Sequence, residues 1–213
     1  MAKFGLVTEG ITDQIVIENI LCGFYKDYDD LDDDIFPLEP PRDETDNKQA
    51  HSEFGTGWSA IFNYLGESRF RDDVLNSEYI IIQIDTDIAD DLNCSRDQSI
   101  DEVIKCMIQK MIEKIDSQES FYCDHKEKII FAVSVHSLEC WILSIYNKNE
   151  KIHTCEDKLK KEIRKASKKL KVEKNYRNYN ELSQYFLKYK NLMNVCDNNR
   201  SLQIFINALP LEI

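Results

Sequence analysis

Short runs of apolar residues along the chain predict the strands of a sheet. Continuous apolar segments at 3–8, 79–84 and 128–135 are rich in Ile, Val, Leu and Phe, as expected for strands covered on both faces. A fourth, shorter strand is predicted at 35–38, where Pro37 favours a position at the edge of the sheet. These four segments predict the strands of a single sheet.

Apolar residues at helical spacing fill the segments between these strands. The pattern i, i+3, i+4, i+7 predicts helices at about 14–25, 58–66, 99–115 and 137–146. Strands that alternate with helices indicate an α/β fold in which a mainly parallel four-stranded sheet is flanked by helices. Ligand sites in such folds lie at the carboxyl ends of the strands.

The last third of the chain has a different character. It is predicted to be helical and basic from about 151 to 174, with a further helical piece at 180–190 and an apolar tail at 202–211. We therefore divide the chain into an α/β domain, residues 1–147, and a helical basic C-terminal extension, residues 148–213, that packs on it.

Charge is distributed unevenly between these parts. The net charge is −12, yet residues 151–190 hold 13 Lys and Arg against 5 Asp and Glu, which leaves 14 basic and 34 acidic residues elsewhere. Such asymmetry indicates a basic surface set against an acidic body, although a solvated Lys-rich helix is the simpler alternative. If the basic surface holds a phosphate backbone, six residues are the candidates: Lys160, Lys161, Arg164, Lys165, Lys168 and Lys169.

The cysteines and the hydropathy indicate where the protein works. The seven cysteines are scattered and form no C-x-x-C pair, so we expect reduced thiols rather than a disulfide framework or a zinc knuckle. We find no secretory leader and no apolar run of the ~18 residues that a membrane span needs. A cytoplasmic location without membrane insertion is therefore expected.

Carboxylates follow two of the predicted strands. Glu9 comes directly after the first strand, and Asp85 and Asp87 end the strand at 79–84. Charge at the edge of a core costs free energy unless something pairs with it. Hard divalent cations such as Mg²⁺ take oxygen ligands and bind substrate phosphates, so the pattern predicts a metal site for phosphodiester chemistry.

Both carboxylate motifs match a known family. The chain reads V-T-E-G-I-T-D over residues 7–13 and I-I-I-Q-I-D-T-D over residues 80–87. A glutamate turn after the first strand followed by a later strand ending in D-x-D resembles the Toprim domain of topoisomerases, bacterial primases and OLD-family nucleases. The resemblance covers residues 1–147 and implies that Asp85 and Asp87 hold Mg²⁺ or Mn²⁺, with Glu9 as a third ligand or general acid/base.

Five further residues are weaker candidates. Small stand-alone Toprim-like proteins often carry a Glu followed by a Trp after the next strand, so Glu139 is an additional ligand candidate or a first-turn helix acid. His136 either orients a water or phosphate or is merely structural. Asp13 either joins the site or, as we favour, caps the helix. Asp90, with its neighbour Asp91, adds to a second metal site or belongs to a solvated turn.

One glycine motif also precedes a helix. Gly55 and Gly57 enclose a threonine just before the helix predicted at 58–66. The motif lacks the third glycine of a dinucleotide fingerprint. A helix-entry turn is the favoured interpretation, and backbone amides lining a phosphate are the alternative.

Several Toprim-containing architectures are excluded. The chain is too short for a topoisomerase, lacks the additional modules of a primase, and has no G-x-x-x-x-G-K-[ST] motif for its own ATPase. The remainder resembles nuclease effectors that act beside a separate ATPase in bacterial antiviral defence or nucleic-acid repair. We expect an endonuclease acting on DNA or RNA. The alternative is a non-catalytic or partner-gated subunit that works through protein–protein contacts, and homo-oligomers are compatible with both.

Overall fold

The computed structural model describes residues 2–42, 55–147, 154–166 and 170–213, and its centre is a parallel sheet. The strands are β1 (Ala2–Val7), β2 (Ile35–Glu39), β3 (Ser77–Asp85) and β4 (Ile129–Ser134). They lie in the order β2-β1-β3-β4, and all three neighbouring pairs are parallel. The predicted α/β class and the edge position of β2 are thereby confirmed.

Helices cover the sheet and form the C-terminal extension. None of the described helices is both long enough and apolar enough to cross a membrane. Short 3₁₀ segments lie at Leu31–Asp34, Thr86–Leu92 and Gln184–Leu187. The α-helices are α1 (Ile11–Phe24), α2 (Trp58–Leu65), α3 (Ser68–Asn76), α4 (Ile100–Ile115), α5 (Tyr122–His125), α6 (Glu139–Leu143), α7 (Cys155–Ala166), α8 (Tyr176–Ser183), α9 (Tyr189–Cys196) and α10 (Arg200–Ala208).

Alternate residues of each central strand serve opposite faces of the sheet. In β3, Ile81 packs with α1 and the extension, whereas Ile80 and Ile82 pack with α2, α3 and α4. Ile130 and Phe131 of β4 divide in the same way. Because both faces are covered, the strands are continuously apolar, as the sequence pattern indicated.

The C-terminal extension shares its core with one face of the sheet. Asn19 of α1 donates hydrogen bonds to Asn180 Oδ1 (3.1 Å) and Ser183 Oγ (2.7 Å) of α8. Gly23 permits close packing there, because a Cβ at this position would lie 1.8 Å from the carbonyl oxygen of Phe186. Gly23 therefore allows the segment after α8 to lie directly on α1.

Several predicted boundaries were wrong. The helix predicted at 137–146 is only α6, the basic helix ends at Ala166 rather than 174, and the piece at 180–190 divides into separate elements. Sequence reasoning missed α3, whose apolar residues Phe70 and Val74 stand among charged ones. It also missed that the tail is helical as α10. Short helices in this protein are fixed by packing more than by their own pattern.

The prediction of reduced thiols is contradicted by the structure. Disulfides join Cys94 to Cys106 and Cys140 to Cys155. The paired cysteines are 12 and 15 residues apart in the sequence, so no local motif announces either bond. The fold brings Cys94, in the loop after the second 3₁₀ segment, to Cys106 of α4, and Cys140 of α6 to Cys155 of α7. Three other cysteines remain as thiols: Cys22, Cys123 and Cys196.

Truncation of one residue should test how strongly the extension contributes to stability. Phe205 of α10 is fully buried and stacks on Trp141, with ring centroids 5.7 Å apart. Phe205→Ala should lower the free energy of unfolding by about 3–5 kcal/mol, because buried aromatic truncation removes contacts and leaves a cavity. Leu211→Ala, at a residue 90% exposed, is the control and should change little. Urea unfolding measures both, and equal stabilities would show that the extension is not part of the core.

Candidate metal centre

Three carboxylates meet at the carboxyl ends of β1 and β3. Glu9 lies in the turn between β1 and α1, Asp85 is the last residue of β3, and Asp87 follows in the 3₁₀ segment. One oxygen from each of the three lies within 4.8 Å of the others. The structure therefore brings together the three residues that the sequence predicted as the catalytic centre.

Buried polar groups fix the position of Asp85. Its Oδ1 accepts hydrogen bonds from Gln83 Nε2 (2.9 Å) and from the hydroxyl of Ser134 on the neighbouring strand. Its backbone N–H donates to Glu9 Oε1 at 3.0 Å, which ties the Glu9 carboxylate to the backbone at the end of β3. Gln83 and Ser134 are fully buried and were not predicted. The one signal in the sequence was a glutamine inside an otherwise apolar strand.

Asp13 lies beside the acidic group formed by Glu9, Asp85 and Asp87, close enough for its charge to interact with Glu9 and Asp85. Helix α1 begins at Ile11 with Gly10 as its N-cap, and no side chain caps it, so the prediction that Asp13 is the cap was wrong. Desolvation, with the nearby charges of Glu9 and Glu139, raises the pKa of Asp13 to about 8. Asp13 thus holds a proton at neutral pH when no cation is present.

The pKa values of two other acids are also raised. Desolvation raises the pKa of Glu9 in spite of the hydrogen bond from the Asp85 amide, and the charge of Asp87 adds to the effect. Desolvation, then the charges of Asp13 and Glu9, raise the pKa of Asp85 well above its ordinary value. Crowded carboxylates of this kind favour a positive charge among them.

Glu139 is held by residues of the extension. It is not among the three clustered carboxylates just described. Its Oε1 accepts a hydrogen bond from Tyr179 Oη at 2.6 Å, and Lys174 Nζ lies 3.9 Å away. Burial acts to raise the pKa of Glu139, but the hydrogen bonds from Tyr179 and Ser137 and the charge of Lys174 outweigh burial and lower it. Glu139 is therefore ionised beside the acidic group.

Sequence reasoning missed Lys174 and Tyr179. Lys174 keeps 67% of its side chain exposed, and the charges of Glu139 and Asp13 raise its pKa although burial opposes them. It brings a positive charge to the side of Glu139, close to the other carboxylates. Both residues are far from the carboxylate motifs in sequence, and no pattern distinguishes Lys174 from the other lysines of the basic segment.

The remaining candidates lie around the same strand ends. The backbone of His136 accepts from the Asp87 N–H (3.1 Å) and donates to Thr86 Oγ1 (2.7 Å). Asp90 forms an ion pair with Arg96, as in a surface turn, and Asp91 is exposed. These contacts give His136 a structural role in holding the Asp87 loop.

The glycine turn borders the acidic group. Gly57 has φ of +63°, which favours glycine, and it is the N-cap of α2. A Cβ placed there would lie 3.9 Å from Glu9 Oε2. The helix-entry interpretation is therefore confirmed, and the turn also lies close to Glu9. Residue 54, at the start of the sequence motif, is outside the described residues.

Four of the six basic candidates can be placed on α7. Lys161, Arg164 and Lys165 are exposed, whereas Lys160 is half-buried. Lys160 and Lys165 are paired with Glu156 (2.6 Å) and Glu162 (2.8 Å) of the same helix. Lys168 and Lys169 lie outside the described residues.

A cleft of about 490 Å³ separates α7 from the segment that leads to Lys174. Cationic and apolar side chains both line this cleft. Residues 170–173 lead from it to Lys174, which lies beside Glu139. The lining residues are Lys160, Ile163, Arg164, Leu170, Lys171, Val172 and Glu173.

The donor set of the acidic group fits a hard divalent cation. Glu9, Asp85 and Asp87 offer oxygen alone, and the raised pKa values of Glu9 and Asp85 show that their negative charges lack compensation. Comparisons of this chain with protein-family models, curated proteins and solved structures found no match. The case for a function therefore depends on the site itself.

Stability should depend on pH through Asp13. Its pKa is higher in the folded protein (about 8) than its ordinary value of 3.8, so folding takes up a proton between these values. In metal-free protein the contribution of Asp13 to stability is complete below pH 3.8 and is lost as pH rises through about 8. Asp13→Asn should therefore gain on wild type by on the order of 1 kcal/mol for each pH unit between about pH 5 and 8. Urea unfolding in EDTA measures this, and parallel profiles for the two proteins would contradict it.

Proposed function

We propose that this protein is a Toprim-type, magnesium- or manganese-dependent endonuclease that hydrolyses phosphodiester bonds of DNA or RNA. The observation that carries the proposal is the meeting of Glu9, Asp85 and Asp87 at parallel strand ends. The order of the motifs along the chain supports it, as do the exposed basic residues of α7, a helix that packs on α6.

The roles of the three carboxylates follow from their positions. Asp85 and Asp87 would hold the cation, since Asp85 is fixed by Gln83 and Ser134 and Asp87 is exposed and therefore accessible to a cation and its substrate. When bound, Mg²⁺ would neutralise the phosphate and stabilise the charge that develops during displacement. Glu9 would be the third ligand or the general acid/base.

Glu9 is suited to handle a proton. In the proposed hydrolysis a water attacks the phosphorus, the bond from phosphorus to the leaving oxygen breaks, and the water's proton passes to a base. Burial raises the pKa of Glu9 above its ordinary value, which makes Glu9 a stronger base, and a general base is most effective when its pKa lies near the working pH. The leaving oxygen then takes a proton from solvent.

Lys174 would bind the phosphate from the side of the extension. Its ammonium is exposed, and the carboxylate of Glu139 lies within 3.9 Å. Tyr179 fixes that carboxylate, so Glu139 would act as a positioning residue for Lys174 rather than as a cation ligand. A cation opposite the acidic group would contact a non-bridging phosphate oxygen.

The exposed basic residues of α7 would hold the nucleic-acid backbone. Each phosphate contact releases counterions, so the dependence of log K on log salt should become less steep by about 0.7–0.9 per lost contact. The double variant Lys161→Ala/Arg164→Ala should weaken binding at low salt and reduce the slope by about 1.4–1.8.

Lys105→Ala, at an exposed lysine of α4, is the matched control for this prediction. Fluorescence anisotropy with labelled single-stranded DNA and RNA over a range of salt concentrations measures the slopes. Equal slopes for the α7 double variant and the control would remove α7 from the proposed interface.

Cleavage of a mixed substrate panel tests the proposed activity. Supercoiled plasmid, single-stranded DNA and total RNA are each incubated with wild type or Glu9→Gln, in Mg²⁺, Mn²⁺ or EDTA. We expect metal-dependent cleavage of one substrate class by wild type and its loss in Glu9→Gln. Cleavage that persists in the variant or in EDTA would contradict the proposal.

The second candidate function gives a different result in the same assay. A partner-gated or non-catalytic subunit would bind the cation and leave every substrate intact. Cleavage that appears only when a separate ATPase or another defence-system protein is added would assign the partner-gated form.

A further inference from the structure

A second group of possible metal ligands lies near the carboxyl end of β4. One ring nitrogen of His136 and the sulfurs of Cys140 and Cys155 lie within 4.8 Å of one another. His136 follows β4, Cys140 lies one helical turn later in α6, and Cys155 is the first residue of α7. In the oxidised protein the two sulfurs form a disulfide.

We propose that His136, Cys140 and Cys155 bind one zinc ion when the disulfide between the two cysteines is reduced. Two thiolates and one imidazole are a recognised ligand set for Zn²⁺, which completes a tetrahedron with a water molecule or another donor. Soft sulfur ligands select Zn²⁺ over Mg²⁺, so this site differs in chemistry from the carboxylate group. The proposal does not rest on nuclease activity.

The backbone already holds the three ligands at a suitable separation. A tetrahedral zinc with Zn–S bonds of about 2.3 Å places its two sulfurs roughly 3.8 Å apart. The Cα atoms of Cys140 and Cys155 are 5.1 Å apart, so rotation of the two side chains can open the sulfurs to that separation. Zinc binding therefore needs no separation of α6 from α7.

Burial and charge also suit a metal. Cys140 and Cys155 are only 4% and 1% exposed. Two thiolates neutralise the charge of Zn²⁺, so the complex places no net charge in this partly buried position. The other disulfide, Cys94–Cys106, has no third ligand of this kind within the described part of the chain. That difference makes Cys140–Cys155 more than a second structural crosslink.

The oxidised and zinc-bound states exclude each other. An external dithiol reduces the Cys140–Cys155 disulfide to two thiols by supplying two electrons and two protons. The dithiol is itself oxidised to a disulfide. Zinc then displaces the two thiol protons and forms two Zn–S bonds. Both states link α6 to α7, whereas the reduced protein without metal has no covalent or metal link between these residues.

The two candidate metal sites share backbone segments. The carbonyl of His136 accepts the N–H of Asp87, and Cys140 directly follows Glu139. Zinc would thus fix the backbone segment that positions Asp87 and Glu139. The redox state of the two cysteines and the binding of zinc would in this way change the geometry of the carboxylate site.

Cobalt absorption gives a direct test. Co²⁺ replaces Zn²⁺ in thiolate sites and shows a thiolate-to-metal charge-transfer band that carboxylate sites lack. Oxidised and phosphine-reduced wild type are titrated with Co²⁺ in excess Mg²⁺, which occupies the carboxylates. We expect the band, at one cobalt per chain and displaced by Zn²⁺, in the reduced protein alone. No band in the reduced protein would overturn the proposal.

Variants then assign the ligands. Cys140→Ser/Cys155→Ser should lose the band, and Cys94→Ser/Cys106→Ser is the matched control that should keep it. His136→Ala should weaken zinc binding by at least about 100-fold, since loss of a residue that only orients a ligand already costs ~10–100-fold. An undiminished band in the Cys140/Cys155 variant would overturn the site. The oxidised and reduced wild-type comparison needs no substitution, so the test does not depend on how that variant folds.

Discussion

Asp85→Asn should abolish metal-dependent cleavage while making the metal-free protein more stable. Asp85 is a proposed cation ligand, so its loss should reduce the rate by about 10²–10³-fold, as for removal of a principal electrostatic group. Its carboxylate is desolvated and lies near Asp13 and Glu9, which raises its pKa well above the ordinary value. Asparagine removes that unfavourable charge and can still accept the hydrogen bonds from Gln83 and Ser134.

The gain in stability should depend on pH in a definite direction. Because the pKa of Asp85 is raised by folding, the destabilising charge is present above the folded pKa and absent when the group is protonated. Asp85→Asn should therefore exceed wild type in melting temperature at alkaline pH in EDTA, and the difference should shrink on acidification. Added Mg²⁺ should stabilise wild type and leave the variant unchanged.

Asp91→Asn is the matched control for this prediction. Asp91 is exposed and lies in the same 3₁₀ segment that carries Asp87. It should keep wild-type cleavage, stability and response to Mg²⁺. If Asp85→Asn retained cleavage near the wild-type rate, Asp85 would not be a cation ligand in the reaction.

Lys174→Ala should lower the cleavage rate by about 10²-fold without affecting stability. The side chain is 67% exposed, and substitution at such a position usually changes stability by no more than about 0.5 kcal/mol. A direct contact with the scissile phosphate would reduce kcat, whereas general attraction of the nucleic acid would raise KM alone. Lys174→Arg keeps a charge near Glu139 and should restore part of the rate.

The control for Lys174 is close to it in sequence. Lys171 is also exposed, is paired with Glu173 and lines the cleft beside α7. Lys171→Ala removes the same charge three residues earlier and should reduce activity by much less. Steady-state kinetics on the substrate that the panel identifies compares Lys174→Ala with Lys171→Ala. Equal losses of activity would show that Lys174 contributes only to the general positive potential and makes no specific contact with the scissile phosphate.

The sequence predicted the site because the site depends on strand ends. Apolar runs place Glu9 and Asp85 at the carboxyl ends of two strands, and parallel neighbours bring those ends together. This follows from the order of elements alone and needs no knowledge of side-chain packing. Secondary-structure periodicity was therefore sufficient to predict the three clustered carboxylates.

Residues contributed by the extension could not be predicted in the same way. Lys174 and Tyr179 lie next to Glu139 because the extension packs closely on α1, at Gly23 and around Asn19. These contacts join residues more than 160 positions apart. A periodic pattern indicates that a helix has an apolar face but does not indicate which surface that face contacts.

Errors at the start of α1 and in the cysteines have related causes. Helix α1 was predicted to begin at residue 14, three positions late. Because of this error, Asp13 was interpreted as the helix cap rather than as a neighbour of the acidic group. The cysteine pairs are close only in the folded chain, because Cys140 and Cys155 belong to different helices. Boundaries and long-range pairings are both decided by tertiary packing.

Binding of Mn²⁺ tests the central claim most directly, because it requires neither a known substrate nor a partner. Electron paramagnetic resonance measures free Mn²⁺ during titration of oxidised wild type, Asp85→Asn and Asp91→Asn. We predict that wild type and Asp91→Asn bind Mn²⁺ with similar affinity, that Mg²⁺ competes, and that Asp85→Asn binds at least about tenfold more weakly, a loss of about 1.4 kcal/mol. Equal Mn²⁺ affinity in wild type and Asp85→Asn would contradict a metal centre at the ends of β1 and β3.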